Sequence, residues 1–271
     1  MRTGRRWAIP LRTLSGLLVM ALQRCGLVYD AVQHIHSVAG DDLDRICRRE
    51  QLRVGITPEP FRPLIFPVVR TGQRSLVTGL DVELIREVTG ALSRHCSRHS
   101  VSPLLQPVPF RNLATDLNEG KVDLSISVVG ASVPAPARSG VAYSLPYLSN
   151  GGVTAIVKRP EILAQIRASL EVPGEQPLQS TQKERALAGL SVAAQEGTSA
   201  HLYAVENLKE SRLRVFDSLP AAFESDNSSI DVILGSYPVL EFMTKRVRKG
   251  WQLITLDNGK PFLLTREQYR W

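Results

Sequence analysis

The 271-residue sequence predicts an α/β protein built as two similar lobes, and three observations carry that prediction. Apolar runs of strand length alternate with amphipathic stretches of helix length, as in layered α/β architectures. The order strand, helix, strand, short helix, acid-bearing strand occurs twice, over residues 52–129 and again over 190–234. Extended and polar segments separate the two sets. Two such lobes are expected to face each other across a cleft, where small ligands commonly bind.

In the first set, Leu52-Arg-Val-Gly-Ile56 reads as a strand, followed by a proline-punctuated loop from Thr57 to Pro67. Gly79 turns the chain into a helix. Asp81 and Glu83 occupy its first turn, where the macrodipole favours acids, and Leu80, Leu84, Ile85, Val88 and Leu92 form one apolar face. Leu104 to Val108 is a second strand. Phe110 to Glu119 is a short helix closed by Gly120 at a C-cap position. Val122 to Val129 then reads as one buried strand ending at Gly130, and Gly151 to Lys158 as a long extended segment.

Residues 159–186 hold a helix, Glu161 to Leu170, and then a Pro/Gly/Gln/Ser-rich stretch suited to a linker or surface insertion. The second set begins with the strand Leu190 to Ala194. Gly197-Thr198-Ser199 opens a helix through Leu208. Leu213 to Phe216 is a strand, Leu219 to Phe223 a short helix, and Ile230 to Leu234 a buried strand. Pro238 to Arg248 is helical and Trp251 to Leu256 is a final strand.

A hydrophobic share of 43% with 22% charged residues is ordinary for a folded protein and speaks against wholesale disorder. The formal net charge of +7 invites a nucleic-acid reading, but Arg2, Arg5, Arg6, Arg12 and Arg24 against Asp30 place +4 of it in residues 1–40. The remaining +3, spread over 41–271, is no clustered basic stripe for a phosphate backbone. The basic start followed by Leu14 to Leu22, too short to span a bilayer, has the pattern of an export signal. Val38-Ala39-Gly40 is a candidate cleavage site. Cys47 and Cys96 follow the leader and can pair in an oxidising compartment if the fold brings them together.

Enzyme signatures are absent: no phosphate-cradling G-x-x-x-x-G-K-[ST], no G-x-G-x-x-G after a strand and no G-x-S-x-G elbow. His95-Cys96-x-x-His99 has metal-like spacing, but Arg94 and Arg98 are interleaved and repel a cation, so no metal or other cofactor is expected. Asp123 and Asp231 imitate a catalytic carboxylate pair. Each begins a buried strand at the same point of its lobe, which favours a structural role.

Five segments, in order, resemble the family 3 extracellular solute-binding proteins, the amino-acid-binding type of ABC importers. They are Leu43-Asp-Arg-Ile46 with Leu52-Arg-Val-Gly55; Gly79-Leu-Asp-Val-Glu-Leu84; Leu117-Asn-Glu-Gly-Lys-Val-Asp-Leu124; Val141-Ala-Tyr-Ser-Leu-Pro-Tyr147; and Leu190-Ser-Val-Ala-Ala-Gln-Glu-Gly-Thr198. The resemblance implies a two-lobed, type II periplasmic-binding-protein-like fold. It divides the chain into a leader (1–40), lobe 1 (41–152), a hinge strand (153–158), a helix and polar linker (159–186), lobe 2 (187–268) and the start of a truncated second hinge (269–271). The return segment that the family places at the C-terminus is expected to be lacking.

The resemblance also implies a ligand site. Gly130 and Ser132 stand where backbone and hydroxyl donors belong, and Arg138, one residue past the family's arginine position, is the candidate fork onto a ligand carboxylate. Gly197 and Thr198 open a helix whose N-terminus suits an anion. Glu59 and Phe61 are expected to face the ligand. Thr57 and Ser236 stand where the family often has acids that hold an α-ammonium group, and without those acids a buried ammonium lacks its counter-charge. The implied function is capture of an amino acid or related carboxylate by an exported, periplasmic monomer that delivers it to ABC permease subunits. Two other readings remain at this point: a cyclohexadienyl-dehydratase-like enzyme using Glu59 as general acid, and a sensor or degenerate binding domain.

Overall fold

The structure, a computed structural model of the chain, describes residues 40–68, 76–97, 100–130, 141–170, 180–225, 229–247 and 250–270. Lobe 1 contains α1 (Gly40–Arg49), β1 (Gln51–Ile56), the hairpin β2 (Phe66–Val68) and β3 (Leu76–Thr78), α2 (Leu80–His95), β4 (Ser102–Pro107), α3 (Leu113–Asn118) and β5 (Leu124–Ser125). Its sheet has the order β4-β1-β5, all parallel. Cys47 of α1 and Cys96 at the end of α2 form a disulfide with Cα atoms 5.4 Å apart. That bond withdraws Cys96 from any metal site.

Lobe 2 contains β8 (Val153–Val157), α4 (Pro160–Leu170), α5 (Ser180–Ala186), β9 (Ser191–Gln195), α6 (Ser199–Asn207), β10 (Arg212–Phe216), α7 (Leu219–Glu224), β11 (Val232–Ser236), α8 (Tyr237–Phe242) and β12 (Gln252–Leu253). Its sheet runs β10-β9-β11-β8-β12, with the first three strands parallel. Alternate residues of these strands enter different cores. Ile156, Ala193 and Ile233 belong to a core that includes Leu219, Phe223, Val239 and Leu240 of α7 and α8 and is continuous with the lobe 1 core, whereas Ala155, Val192 and Leu234 pack beneath α4 and α6. Sheets covered on both faces require such continuous apolar strands.

The repeat read from sequence is present in the topology. β1, β4 and β5 are ordered as β9, β10 and β11 are, with the first strand of each trio at the centre. The two aspartates do equivalent work. Asp123 Oδ2 accepts a hydrogen bond from the Arg53 N–H at 2.8 Å, and Asp231 Oδ2 accepts from the Ser191 N–H at 2.7 Å. Each acid thus ties the start of a third strand to the first strand of its lobe. Arg49 and Arg53 pair with Asp123, and Arg159 with Asp231.

Several boundaries differ from expectation. The single strand expected over Val122–Val129 is broken: β5 leaves the sheet at Ser125, Val128 has φ +55°, and Val129–Gly130 (β6) joins another sheet. A left-handed backbone is unfavourable for a β-branched residue. It is held here by the Val128 N–H donating to Asp81 and by Ser127 Oγ accepting from the Thr57 N–H. Of the segment 153–158, expected as a hinge, Val153–Val157 is β8 of the lobe 2 sheet, and the crossing strand is β7 (Leu148–Gly151) just before it. β13 (Glu267–Arg270) is a formed second crossing strand, lying between β6 and β7 and antiparallel to both. Part of the expected linker is helical, as α5. The helix expected over Pro238–Arg248 splits into α8 and a π-helical turn, Met243–Val247. Only Gln252–Leu253 of the last expected strand joins the sheet.

Candidate functional site

In a sheet ordered with its first strand at the centre, the loops after the first and third strands diverge and leave a crevice at the strand ends. Both lobes present that crevice to each other. The loop after β1 brings Thr57 to Phe61, the chain after β5 brings Val128 to Gly130, the turn after β9 brings Glu196 to Ser199, and β11 ends at Ser236. A cavity of about 40 Å³ lies at their meeting point. Phe61 and Phe110 line it from lobe 1; Thr198, Ser199 and Ser236 line it from lobe 2; Glu267 and Tyr269 line it from the crossing sheet.

The helix start at α6 forms as its sequence dictates. Gly197 adopts φ +76°, which a side chain resists, and Thr198 in an extended conformation caps the helix by accepting from the His201 N–H at 3.3 Å. Gly197 also meets lobe 1 directly, since a Cβ there would stand 3.1 Å from Arg111 Cα. Arg111 in turn donates to Glu196 at 2.8 Å and to Asp217 at 3.3 Å across the seam between the lobes.

Among the residues expected at the site, Phe61, Thr198 and Ser236 line the cavity, and Gly130 abuts it. Phe61 stacks edge-to-face on Phe110, ring centres 5.8 Å apart. The Ser236 and Tyr269 hydroxyls share a 2.7 Å hydrogen bond. Gly197 lies at the lobe seam. Thr57 is buried and serves its own loop, where its N–H donates to Ser127 and its Oγ1 accepts from the Glu59 N–H. Glu59 stands at the seam near Arg111 and Asp217; burial pushes its carboxyl up, and its Oε2 is buried without a hydrogen-bond partner among the described residues. Ser132 and Arg138 lie outside the described residues.

Two residues of β13 were missed from sequence. Tyr269 is buried, accepts from the Gly152 N–H at 3.3 Å, and has its hydroxyl pushed up to about 12 by burial. Glu267 is 4% exposed, and a Cβ placed on Gly130 would stand 2.1 Å from its Oε2 and 2.8 Å from Ser199 Oγ. Its carboxylate therefore sits between the end of β6 and the first turn of α6. The signal for both was available: two residues of unlike chemistry, spaced by two, project to one face of a strand.

Comparison with solved structures places this architecture. An amino acid ABC transporter substrate-binding protein from Streptococcus pneumoniae, bound to L-arginine, superposes with a TM-score of 0.64 at 19% identity, over 84% of this chain and 82% of that one. The arginine-bound, truncated arginine-binding protein of T. maritima gives 0.61 at 22% identity, covering 84% and 89%. An ancestral amino acid-binding protein, a precursor of cyclohexadienyl dehydratase, gives 0.62 at 24% identity, covering 84% and 83%. The fold is that of the amino acid-binding proteins. No protein-family model matches the chain and no curated protein does. The two-lobed binding-protein fold expected from the sequence is thus borne out.

Proposed function

We propose that the chain binds a small polar solute, an amino acid or a relative of one, in the cleft between its lobes and hands it to the permease of an ABC importer. The observation that carries this reading is the convergence of four strand-end loops, two from each lobe, on one cavity beside the crossing sheet. The solved structures with this fold include proteins whose bound ligand is arginine. A cavity of about 40 Å³ has room for ~3 water molecules. Admission of a solute of amino-acid size therefore requires the lobes to part, and capture requires them to close again, the hinge motion open to two domains joined by crossing strands.

Export fits the basic, apolar leader, which lies outside the described residues; no helix among the described residues is long and apolar enough to cross a membrane. The dehydratase reading depended on Glu59 as a general acid in the cleft. Glu59 instead stands at the lobe seam and is not among the residues lining the cavity, so binding without turnover is the better supported function. A thermal-shift screen of the protein against amino acids, organic acids and amines tests it, because a solute bound only by the folded state raises the melting temperature. A rise with at least one small solute is expected. No rise with any member of the panel contradicts the reading.

A further inference from the structure

We propose that the cleft selects an amino acid with a small aliphatic side chain and discriminates against charged ones. The inference rests on the solute-binding reading and names the class of solute. Phe61, Phe110 and Val128 from lobe 1 and Leu219, Leu234 and Val239 from lobe 2 wall the cavity with apolar surface on both sides. Its volume of about 40 Å³, room for ~3 water molecules, is on the scale of a small aliphatic group.

The polar side chains in the wall are engaged within the chain itself. Gln195 Nε2 donates to the Asp217 carbonyl at 3.2 Å, and its Oε1 accepts from the Leu219 N–H at 3.1 Å. Thr198 Oγ1 donates to the Gln195 carbonyl at 2.7 Å while capping α6. The Ser236 and Tyr269 hydroxyls bond each other, and Tyr269 also accepts from the Gly152 N–H. Glu267 accepts from the Thr265 hydroxyl at 3.0 Å and has a further polar partner of its own. Among the described polar side chains of the wall, that leaves the Ser199 hydroxyl.

This inventory decides which end of a solute the cavity accepts. A guanidinium brings five N–H donors and a carboxylate several acceptor sites. One neutral hydroxyl replaces little of the water that either gives up, and burying a charge without partners is costly. An aliphatic group gives up no hydrogen bond on entry, and its transfer from water to apolar walls is favourable. Every free amino acid carries the same α-carboxylate and α-ammonium. Discrimination between amino acids therefore falls to the side chain, where the wall favours hydrocarbon.

Pairs of side chains matched in shape isolate that preference: L-valine with L-threonine, and L-leucine with L-asparagine and L-aspartate. These, with L-alanine, L-arginine and L-glutamate, are titrated calorimetrically into the full chain and its V239A variant, with thermal melts confirming that the variant folds. At least one aliphatic amino acid is expected to bind about tenfold or more tightly than its polar counterpart. It is also expected to bind more tightly than L-arginine and L-glutamate, with a negative heat-capacity change from apolar burial. V239A opens the apolar wall and is expected to shift preference at least threefold toward L-leucine over L-alanine, a change of rank that lost stability alone does not produce. A polar counterpart that binds as tightly as its aliphatic match, L-arginine or L-glutamate binding tighter than every aliphatic member, or a folded V239A with unchanged preference overturns the inference and leaves the solute-binding reading standing. Binding confined to compounds without an aliphatic side chain does the same. Failure of every compound here and in the wider thermal-shift screen overturns both. The comparison within the unaltered chain decides the matter even where V239A does not fold.

Discussion

Asp81 Oδ1 accepts a hydrogen bond from the Tyr147 hydroxyl at 3.0 Å, tying the first turn of α2 to the segment that enters the crossing strand β7. Its Oδ2 accepts from the Val128 N–H at 3.2 Å, so one carboxyl fixes both the left-handed turn before β6 and the approach to β7. Asp81 is fully buried, and burial pushes its pKa up to about 6 against the opposing pull of these two hydrogen bonds. Burial also raises Tyr147, and Asp81 beside it adds to that rise.

The sign of the pH dependence follows from these positions. An unfolded Asp titrates near ~3.9, so between about pH 4 and pH 6 the folded state holds the proton that the unfolded state has lost. The contribution of Asp81 to stability is fully kept below pH 4 and declines as pH rises through 6. D81N retains an oxygen for Val128 and an amide for Tyr147 without a charge to bury. It is expected to match the unaltered protein at pH 4 and to exceed it at pH 7, by an amount on the order of 3 kcal/mol. Urea unfolding at the two pH values measures this. A larger deficit for D81N at pH 7 than at pH 4 contradicts it.

The crossing strands leave no room at their glycines. A Cβ on Gly151 would stand 2.1 Å from Tyr269 Cε2, and one on Gly152, at φ +155°, would stand 2.1 Å from the Thr265 carbonyl oxygen. Overpacking of this kind costs about 1–3 kcal/mol. G152A is expected to be the worse of the two, because a backbone carbonyl cannot rotate away as a ring can. Thermal melts of G151A and G152A give the order directly.

Arg111 reaches Glu196 and Asp217 across the lobe seam, and all three side chains are solvent-exposed. Salt weakens such pairs. The closed form is therefore expected to lose solute faster at high ionic strength, and R111A is expected to dissociate faster at low salt with a flatter salt dependence. Stopped-flow dissociation at two salt concentrations tests this; an unchanged salt slope in R111A removes the seam pairs from the closing step.

The Cys47–Cys96 bond closes a loop with a sequence separation of 49. Loop-closure entropy for that length corresponds to about 4 kcal/mol. Reduction, or the paired C47A and C96A substitutions, is expected to lower the unfolding free energy by an amount of that order in denaturant titrations.

Much of the fold was legible because its signals are local. Strand and helix runs, Gly120 and Gly197 as punctuation, the Thr198 cap and the repeated placement of Asp123 and Asp231 all depend on neighbouring residues. The parts that escaped reading depend on distant ones. Val122 to Val129 has the composition of an unbroken strand, and only Asp81 and Thr57, remote in sequence, turn it at Ser127 and Val128. β13 is short and carries Glu, Gln and Arg, so its role shows only once β6 and β7 flank it. The cavity lining divides in the same way: Phe61, Thr198 and Ser236, which were expected at the candidate site, sit at strand ends, whereas Glu267 reaches the cavity from a crossing strand.

Whether one solute is held between both lobes is read by hydrogen–deuterium exchange of the full chain with and without the compound that raises its melting temperature most. Exchange is expected to slow on both sides of the cavity at once: at 59–61 and 110–112 in lobe 1, at 197–200 and 235–239 in lobe 2, and at 267–269 in the crossing sheet. Protection confined to one lobe, or placed on an outer face away from these segments, contradicts it.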